Sequence, residues 1–290
     1  MKIYLGTAQF DLNYGITNSN GKMPIQDIHN ILQRSNRDGI IGIDTAKDYG
    51  DTEKILGNFN INDFEISTKL PFINMENNKI ENTIFDLVNN SLKKMKIKMI
   101  NNLFLHYPNQ LLEPKGAEIY NSLLKLKDNG IIKNIGYSIY SPLEAKKLIN
   151  IFHPDIVQGP YSILDRRMEK TGLLFTLKKL NIVFQARSIS LQGLLYLNAD
   201  KLPKEFLKWK DIWIKYEKFL LENKINSAEA IINFIFTNKN LTNVVVGFSN
   251  YDQYRSFVEI KKNLKENINY DLDFDNFDET ILNPNHWQLL

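Results

Sequence analysis

The chain has 290 residues, 43% of them hydrophobic, enough for one large domain or two ordinary ones with a substantial core. A formal net charge of +3 is too small to argue for a nucleic-acid partner. The lack of cysteine excludes disulfides, thiol nucleophiles and every cysteine-based metal site.

The opening stretch MKIYLGTAQFDLNYG turns polar after a few apolar residues and carries no signal-peptide core. No apolar run reaches the ~18 residues of a membrane span. A cytoplasmic protein without a membrane partner is expected. KIYLGTA reads as a first strand, short and bounded by polar signals. Residues 25–37 follow with helical periodicity, Ile28, Ile31 and Leu32 sharing a face. IIGIDTA and FEISTKL are the next strands. A helix over 80–95 then presents Ile84, Leu87, Val88 and Leu92. NNLFLHY, a helix over 116–128, IIKNIGYS, a helix over 142–151, DIVQGPY, a helix over 172–179 and NIVFQARS continue the alternation. The segment 199–240 is longer than one crossover needs. It is expected to hold helices over 205–222 and 227–237, the second opened by Ser227 and Glu229. NVVVGFS and a helix over 251–262 close the series. The tail 268–290 is acidic and aromatic, without helical periodicity, and reads as an extension packed on or over the rest.

Eight strands alternating with helices imply parallel pairing and right-handed crossovers. The count and length fit a single-domain α/β (β/α)8 TIM barrel spanning 1–290, a fold usually built from about 250 residues. A doubly wound open sheet is the runner-up. In a barrel the active site gathers at the C-terminal strand ends. Those positions hold Thr7, Asp44, Tyr49, Lys69, His106, Ser138, Gln158, Arg187 and Ser249.

Four of these compose a chemical device. A phenol has a pKa near ~10, and an adjacent ammonium lowers it by favouring the phenolate. Asp44 would keep Lys69 charged, Lys69 would tune Tyr49, and His106 would hydrogen-bond a carbonyl. Taken singly, each has a plainer reading: a solvated lysine, a structural histidine, or Asp44 capping the next helix. Their recurrence on successive strands favours chemistry.

At this point the sequence resembles the aldo-keto reductase family over nearly its whole length. The motifs are GTAQF and YG within 6–15, DTAKDYGDTEKILG at 44–57, STK at 67–69 and LHYP at 105–108. GIIKNIGYS, VQGPYS, QGLL and VVVGFS follow in the family's order. The resemblance implies hydride transfer between NAD(P)H and a carbonyl or alcohol, on a barrel that needs no GxGxxG. It implies a catalytic set of Asp44, Tyr49, Lys69 and His106, with Tyr49 as general acid. It also implies a cofactor site formed by Thr7, Asp44, Ser138, Gln158, Arg187, Gly247, Ser249 and Gln253. NADP is favoured over NAD from the family alone. A regulatory or interaction subunit that binds the dinucleotide without turnover is the alternative.

Several positions depart from the family pattern. Ile139 replaces an asparagine, and Arg187 stands where an aromatic usually stacks on the nicotinamide. Gly247 and Gln253 replace a lysine and an arginine that hold the 2′-phosphate, and Arg255 is a substitute if the helix phase allows. Arg187, Asp11, Arg166 and the polar tail suggest a polar or anionic substrate, a sugar or sugar derivative. The arginines of LDRR at 164–167 read as loop-fixing ion pairs. Trp287, Asn283 and Asn285 are candidates for a substrate lid, set against simple tail packing. The four histidines show no ligand spacing, so no metal is expected. A small-molecule carbonyl partner and a monomer or weak homo-oligomer complete the expectations.

Overall fold

The structure, a computed structural model, describes every residue except 20, 75–78, 266, 273–278, 285–286 and 288–290. Its eight strands form one closed, all-parallel barrel in chain order, β1 (Lys2–Gly6), β2 (Ile40–Asp44), β3 (Glu65–Leu70), β4 (Ile100–Leu105), β5 (Ile132–Ser138), β6 (Ile156–Pro160), β7 (Val183–Arg187) and β8 (Asn243–Gly247). Closure comes from β1 pairing with β8, Gly6 opposite Gly247. Around the barrel run α1 (Ile25–Ser35), α2 (Thr52–Leu56), α3 (Ile80–Met95), α4 (Gly116–Asp128), α5 (Pro142–Ile149), α6 (Leu173–Lys179), α7 (Lys210–Glu222), α8 (Ser227–Phe236) and α9 (Tyr251–Lys262).

Strand alternation divides two environments. Ile3, Leu5, Ile43, Ile66, Leu103, Ile135, Val157, Phe184 and Val244 join the helix-facing core, where Ile28, Ile84, Val88, Leu123 and Leu148 meet them. The inner face is unusually polar. Asn134 donates to Asn102 at 2.8 Å, and Asn102 to Ser67 at 2.9 Å. Gln158 donates to Gln185 at 2.8 Å, and the Tyr4 hydroxyl reaches Glu65 across the barrel floor. Two glycines make room inside. A Cβ at Gly42 would lie 2.3 Å from the Tyr4 ring, and one at Gly136 2.4 Å from the Phe104 ring.

The segment between β7 and β8 departs from expectation in detail. A 3-10 turn over Lys204–Trp209 precedes α7, so 205–222 is two pieces. The cap of α8 is Asn226, with Ser227 as first helical residue. Asn226 and Glu229 form a reciprocal capping box that satisfies two otherwise orphaned N–H groups. The tail holds a short helix, Glu279–Leu282, that its sequence pattern did not suggest. Trp287 packs edge-on against Phe206, centroids 5.1 Å apart, and its indole N–H donates to the Thr280 and Ile281 carbonyls. These contacts favour packing over a lid for Trp287, while Asn285 lies outside the described residues. Among the described residues no helix is long and apolar enough to cross a membrane, and no acidic or histidine cluster could hold a metal.

Candidate active site

Asp44 ends β2, buried at the barrel mouth, and both of its carboxylate oxygens are engaged. Lys69 Nζ lies 2.6 Å from Oδ2, and Gln158 Nε2 donates to Oδ1 at 2.7 Å. Lys69, from the inner face of β3, also donates to the Thr45 carbonyl at 3.0 Å. Its side chain is 1% exposed, so the ion pair is fully desolvated. Burial pushes the Lys69 ammonium down, and the Asp44 carboxylate opposes that shift. Asp44 is therefore no helix cap; α2 begins after Asp51.

Tyr49 hangs over this pair. Lys69 Nζ is 5.2 Å from its ring centroid. Its loop is tied down by Asp11, whose Oδ2 accepts the Asp51 N–H at 2.6 Å while Oδ1 pairs with Lys22 at 2.7 Å. Gly50 permits this: its φ is +60°, and a Cβ there would meet Asp11 Oδ2 at 2.3 Å. The expected downward pull of Lys69 on the phenol is not found. Burial pushes Tyr49 well above the ordinary phenol range, Asp44 adds to the rise, and Arg187 opposes it. Burial is the leading cause, so desolvation decides the direction. The phenol is kept in its protonated, proton-donating form.

His106 follows β4 and stands edge-on to Tyr49, centroids 6.2 Å apart at 81°. Its Nδ1 lies 2.9 Å from Asp48 Oδ2. Arg187 ends β7, donates to the Ile139 carbonyl at 2.9 Å, and stacks on Tyr140 with its guanidinium carbon 4.5 Å from the ring centroid.

A cleft of about 270 Å³ opens beside these groups. Thr7, Asp44, Tyr49, Arg187, Gly247, Ser249 and Gln253 line it. Lys69, Ser138 and Gln158 lie buried beneath the mouth, and His106 stands to its side. Gln158 Oε1 is buried midway along β6 with no hydrogen-bond partner among the described residues, an acceptor left open. An orphaned buried acceptor suits an amide N–H, so this donor set fits a carboxamide-bearing group such as nicotinamide. Ile139 is core, fully buried, and contributes only backbone groups, its carbonyl to Arg187 and its N–H to the Gln158 carbonyl.

Helix α9 starts at the far end of the cleft. Asn250 caps it by accepting the Gln253 N–H at 2.9 Å, Gln253 Oε1 accepts Ser249 N–H at 2.8 Å, and Asp27 Oδ2 accepts Tyr251 N–H at 3.1 Å. Arg255 is on another face of α9, 3.5 Å from Asp252, and does not line the cleft. Asp11 and Arg166 are likewise occupied. Arg166 lies over the Phe234 ring and donates to the Tyr270 carbonyl, and its neighbour Arg167 pairs with Asp165 at 2.8 Å. Among the charged groups suggested for an anionic substrate, Arg187 is the one lining the cleft.

Sequence reasoning missed Tyr14, Tyr140 and Asp48. Tyr14 lines the cleft and, like Tyr49, is pushed up first by burial and then by Tyr49 itself. Tyr140 sits two residues beyond Ser138, and Asp48 immediately precedes Tyr49. Adjacency to strand-end residues was the available signal.

Comparison with known proteins places this geometry. A family model described as Aldo/keto reductase family matches residues 2–269. The L-glyceraldehyde 3-phosphate reductase of Escherichia coli O157:H7 is 25% identical over 201 residues, 60% of this chain and 57% of that protein. The protein of the same name from Escherichia coli strain K12 is 24% identical over the same shares. The chain thus spans less than two thirds of the length of these curated relatives. The crystal structure of PA4992, a candidate aldo-keto reductase from Pseudomonas aeruginosa, superposes with a TM-score of 0.65 at 16% identity, covering 90% of each chain. A second candidate aldo-keto reductase structure from Pseudomonas aeruginosa gives 0.63 at 17%, over 90% of this chain and 89% of that one. At such identities these two likenesses speak to the fold.

Proposed function

The chain belongs to the aldo/keto reductase family, and on that footing we propose that it transfers a hydride between a nicotinamide dinucleotide and a carbonyl or alcohol substrate. The observation that carries the reading is the buried Asp44–Lys69 pair, 2.6 Å apart, beneath a phenol held protonated at the cleft wall. The dinucleotide, when bound, supplies the hydride; the protein supplies position and electrostatics. Tyr49 donates its phenolic proton to the oxygen that becomes an alkoxide, as general acid. Lys69, fixed by Asp44, carries positive charge to within 5.2 Å of the Tyr49 ring and stabilises the phenolate that remains. His106 orients the substrate oxygen beside Tyr49. Gln158, with its open Oε1, and Ser138 opposite it in the strand register hold the carboxamide. Thr7, which donates to the Asp44 carbonyl at 3.0 Å, fixes the edge of the nicotinamide pocket.

Gly247, Ser249 and Gln253 receive the adenosine end at the start of α9, in keeping with the barrel preference for phosphate near a helix N-terminus after the last strands. Among the described residues no cation lines this end, and the Asp27 carboxylate is hydrogen-bonded to Tyr251 N–H. These features weigh towards NADH, against the family's lean to NADP.

The substrate is a polar carbonyl, a sugar or sugar derivative. Arg187 in the cleft wall suits an anionic substituent, and the two curated relatives are named for L-glyceraldehyde 3-phosphate, a phosphorylated hydroxyaldehyde. Oxidation of NADH and NADPH against a panel of aldehydes, ketones and sugars tests the reading. Preferential turnover of polar carbonyls supports it. Better turnover of simple aromatic aldehydes would remove the substrate assignment, and binding without any turnover would favour a regulatory subunit.

A further inference from the structure

Among the described residues, the charged side chains lining the cleft are Asp44 and Arg187. Asp44 is paired with Lys69 at 2.6 Å. Arg187 has no carboxylate within ion-pair distance among the described residues. It donates to the Ile139 carbonyl at 2.9 Å and to Ser188 Oγ at 3.2 Å, and it stacks on the Tyr140 ring. Glu144 feels this charge, but its carboxylate is held by the Tyr140 N–H and the Asn109 amide, each at 2.8 Å. The cleft is left with one unmatched positive charge. Its field crosses the cleft: Arg187 opposes the upward push of burial on the Tyr14 and Tyr49 phenols and adds to the downward push on Lys69.

The strand pattern locates that charge. Phe184 and Ala186 face the helices, so Gln185 and Arg187 face inward. Gln185 lies opposite Gln158 and accepts from its amide at 2.8 Å. Arg187 is the next inward side chain on β7, about 7 Å further towards the mouth. A ring whose carboxamide is held at Gln158 is thereby brought within reach of the guanidinium. The reduced nicotinamide ring is neutral and the oxidised ring is cationic, so a fixed cation here treats the two forms differently. Resting on the function proposed above, we infer that Arg187 is a specificity-determining residue that makes the site select the reduced dinucleotide over the oxidised one. Hydride transfer leaves a cationic ring near an unmatched guanidinium, in a cleft where like charges repel more strongly than in water. The spent dinucleotide becomes the weaker ligand and yields to a reduced one. The same charge stays available to an anionic substrate, because neither a carbonyl nor the reduced ring brings a competing cation.

The test is calorimetric titration of the wild type, R187M, R187Q and R187K with NADH and NAD+, with NADPH and NADP+, and with ADP-ribose, which lacks the nicotinamide. The diphosphate and both riboses are common to the two members of each pair, so the ratio of their dissociation constants isolates the ring. The wild type is expected to bind the reduced form about tenfold more tightly, the order of a partly screened repulsion between two unit charges. That ratio raises the two-electron potential of the bound couple by about 30 mV. R187M and R187Q should bring the ratio towards unity, chiefly by tightening the oxidised form, and R187K should keep it. R187Q can still donate to the Ile139 carbonyl, and retained affinity for ADP-ribose shows that the site is intact. A ratio near unity in the wild type, or one unchanged in the neutral variants, overturns the inference and leaves the reductase reading standing. Equal weakening of the oxidised form, the reduced form and ADP-ribose in the neutral variants puts the guanidinium on the diphosphate and overturns it too. Binding of no dinucleotide by the wild type overturns the reductase reading itself, and the selectivity falls with it.

Discussion

Lys69 and Asp44 show how one desolvated pair serves both structure and chemistry. Each is nearly inaccessible, and the carboxylate is completed by Gln158 from the far side of the barrel. Removing one partner strands the other as a buried charge. K69M is expected to cost about 3–5 kcal/mol, read as a drop in denaturant midpoint. The double variant D44N/K69M should recover part of that loss, because no unpaired charge then remains. A double variant destabilised by the sum of the two single losses would show the two residues to be independent. The four catalytic candidates were legible because strand ends are where an apolar pattern yields abruptly to a titratable group. The sign of the Tyr49 shift was not. It depends chiefly on how deeply the phenol is buried, which no spacing encodes. Asp48 stayed hidden for the same reason. Beside Tyr49 it reads as ordinary loop polarity until its carboxylate is found against His106.

At the scale of elements, the eight strands follow the sequence closely, since short β-branched runs between amphipathic helices leave few alternatives. The segment from 199 to 240 was harder. There Lys204–Trp209 forms a 3-10 turn ahead of α7, while α8 begins at Ser227 as expected, capped by Asn226 through its reciprocal contact with Glu229. Helix α9 carries a functional consequence. Its phase puts Gln253 and Ser256 on the cleft and Arg255 away from it, a choice that periodicity alone left open. With no cation at this end among the described residues and a carboxylate from α1 close by, NADH should bind at least as tightly as NADPH in direct titration of the free protein. Q253R should shift the balance towards NADPH by about tenfold, the order expected for one charge-assisted hydrogen bond. Much tighter NADPH binding by the wild type would show that another group meets the 2′-phosphate.

For the whole molecule, buried phenols on both sides of the barrel wall set the response to pH. Tyr4, Tyr49, Tyr137, Tyr161 and Tyr254 are all pushed above the ordinary range, chiefly by burial, with Glu65, Glu169 and Asp38 reinforcing the shift at Tyr4, Tyr161 and Tyr254. Their folded-state pKa values exceed the unfolded value near ~10, so above that pH the folded state binds more protons and stability falls as pH rises. The stabilisation is complete below pH ~10 and is lost on the alkaline side. The unfolding midpoint should therefore hold steady to about that pH and then decline, with phenolate absorbance rising at unfolding rather than before it. Early ionisation of several tyrosines in the folded protein would contradict this account of the interior.

The central claim is that Tyr49 supplies the proton while the barrel positions the rest. Its most direct test compares wild type and Y49F in two measurements on the same preparations: dinucleotide affinity by titration, and the rate of cofactor oxidation with a carbonyl that the wild type reduces. Removal of a general acid should lower kcat by about 10²–10⁴-fold with affinity for the dinucleotide essentially retained. A Y49F protein that reduces the same carbonyl at close to the wild-type rate would contradict the claim.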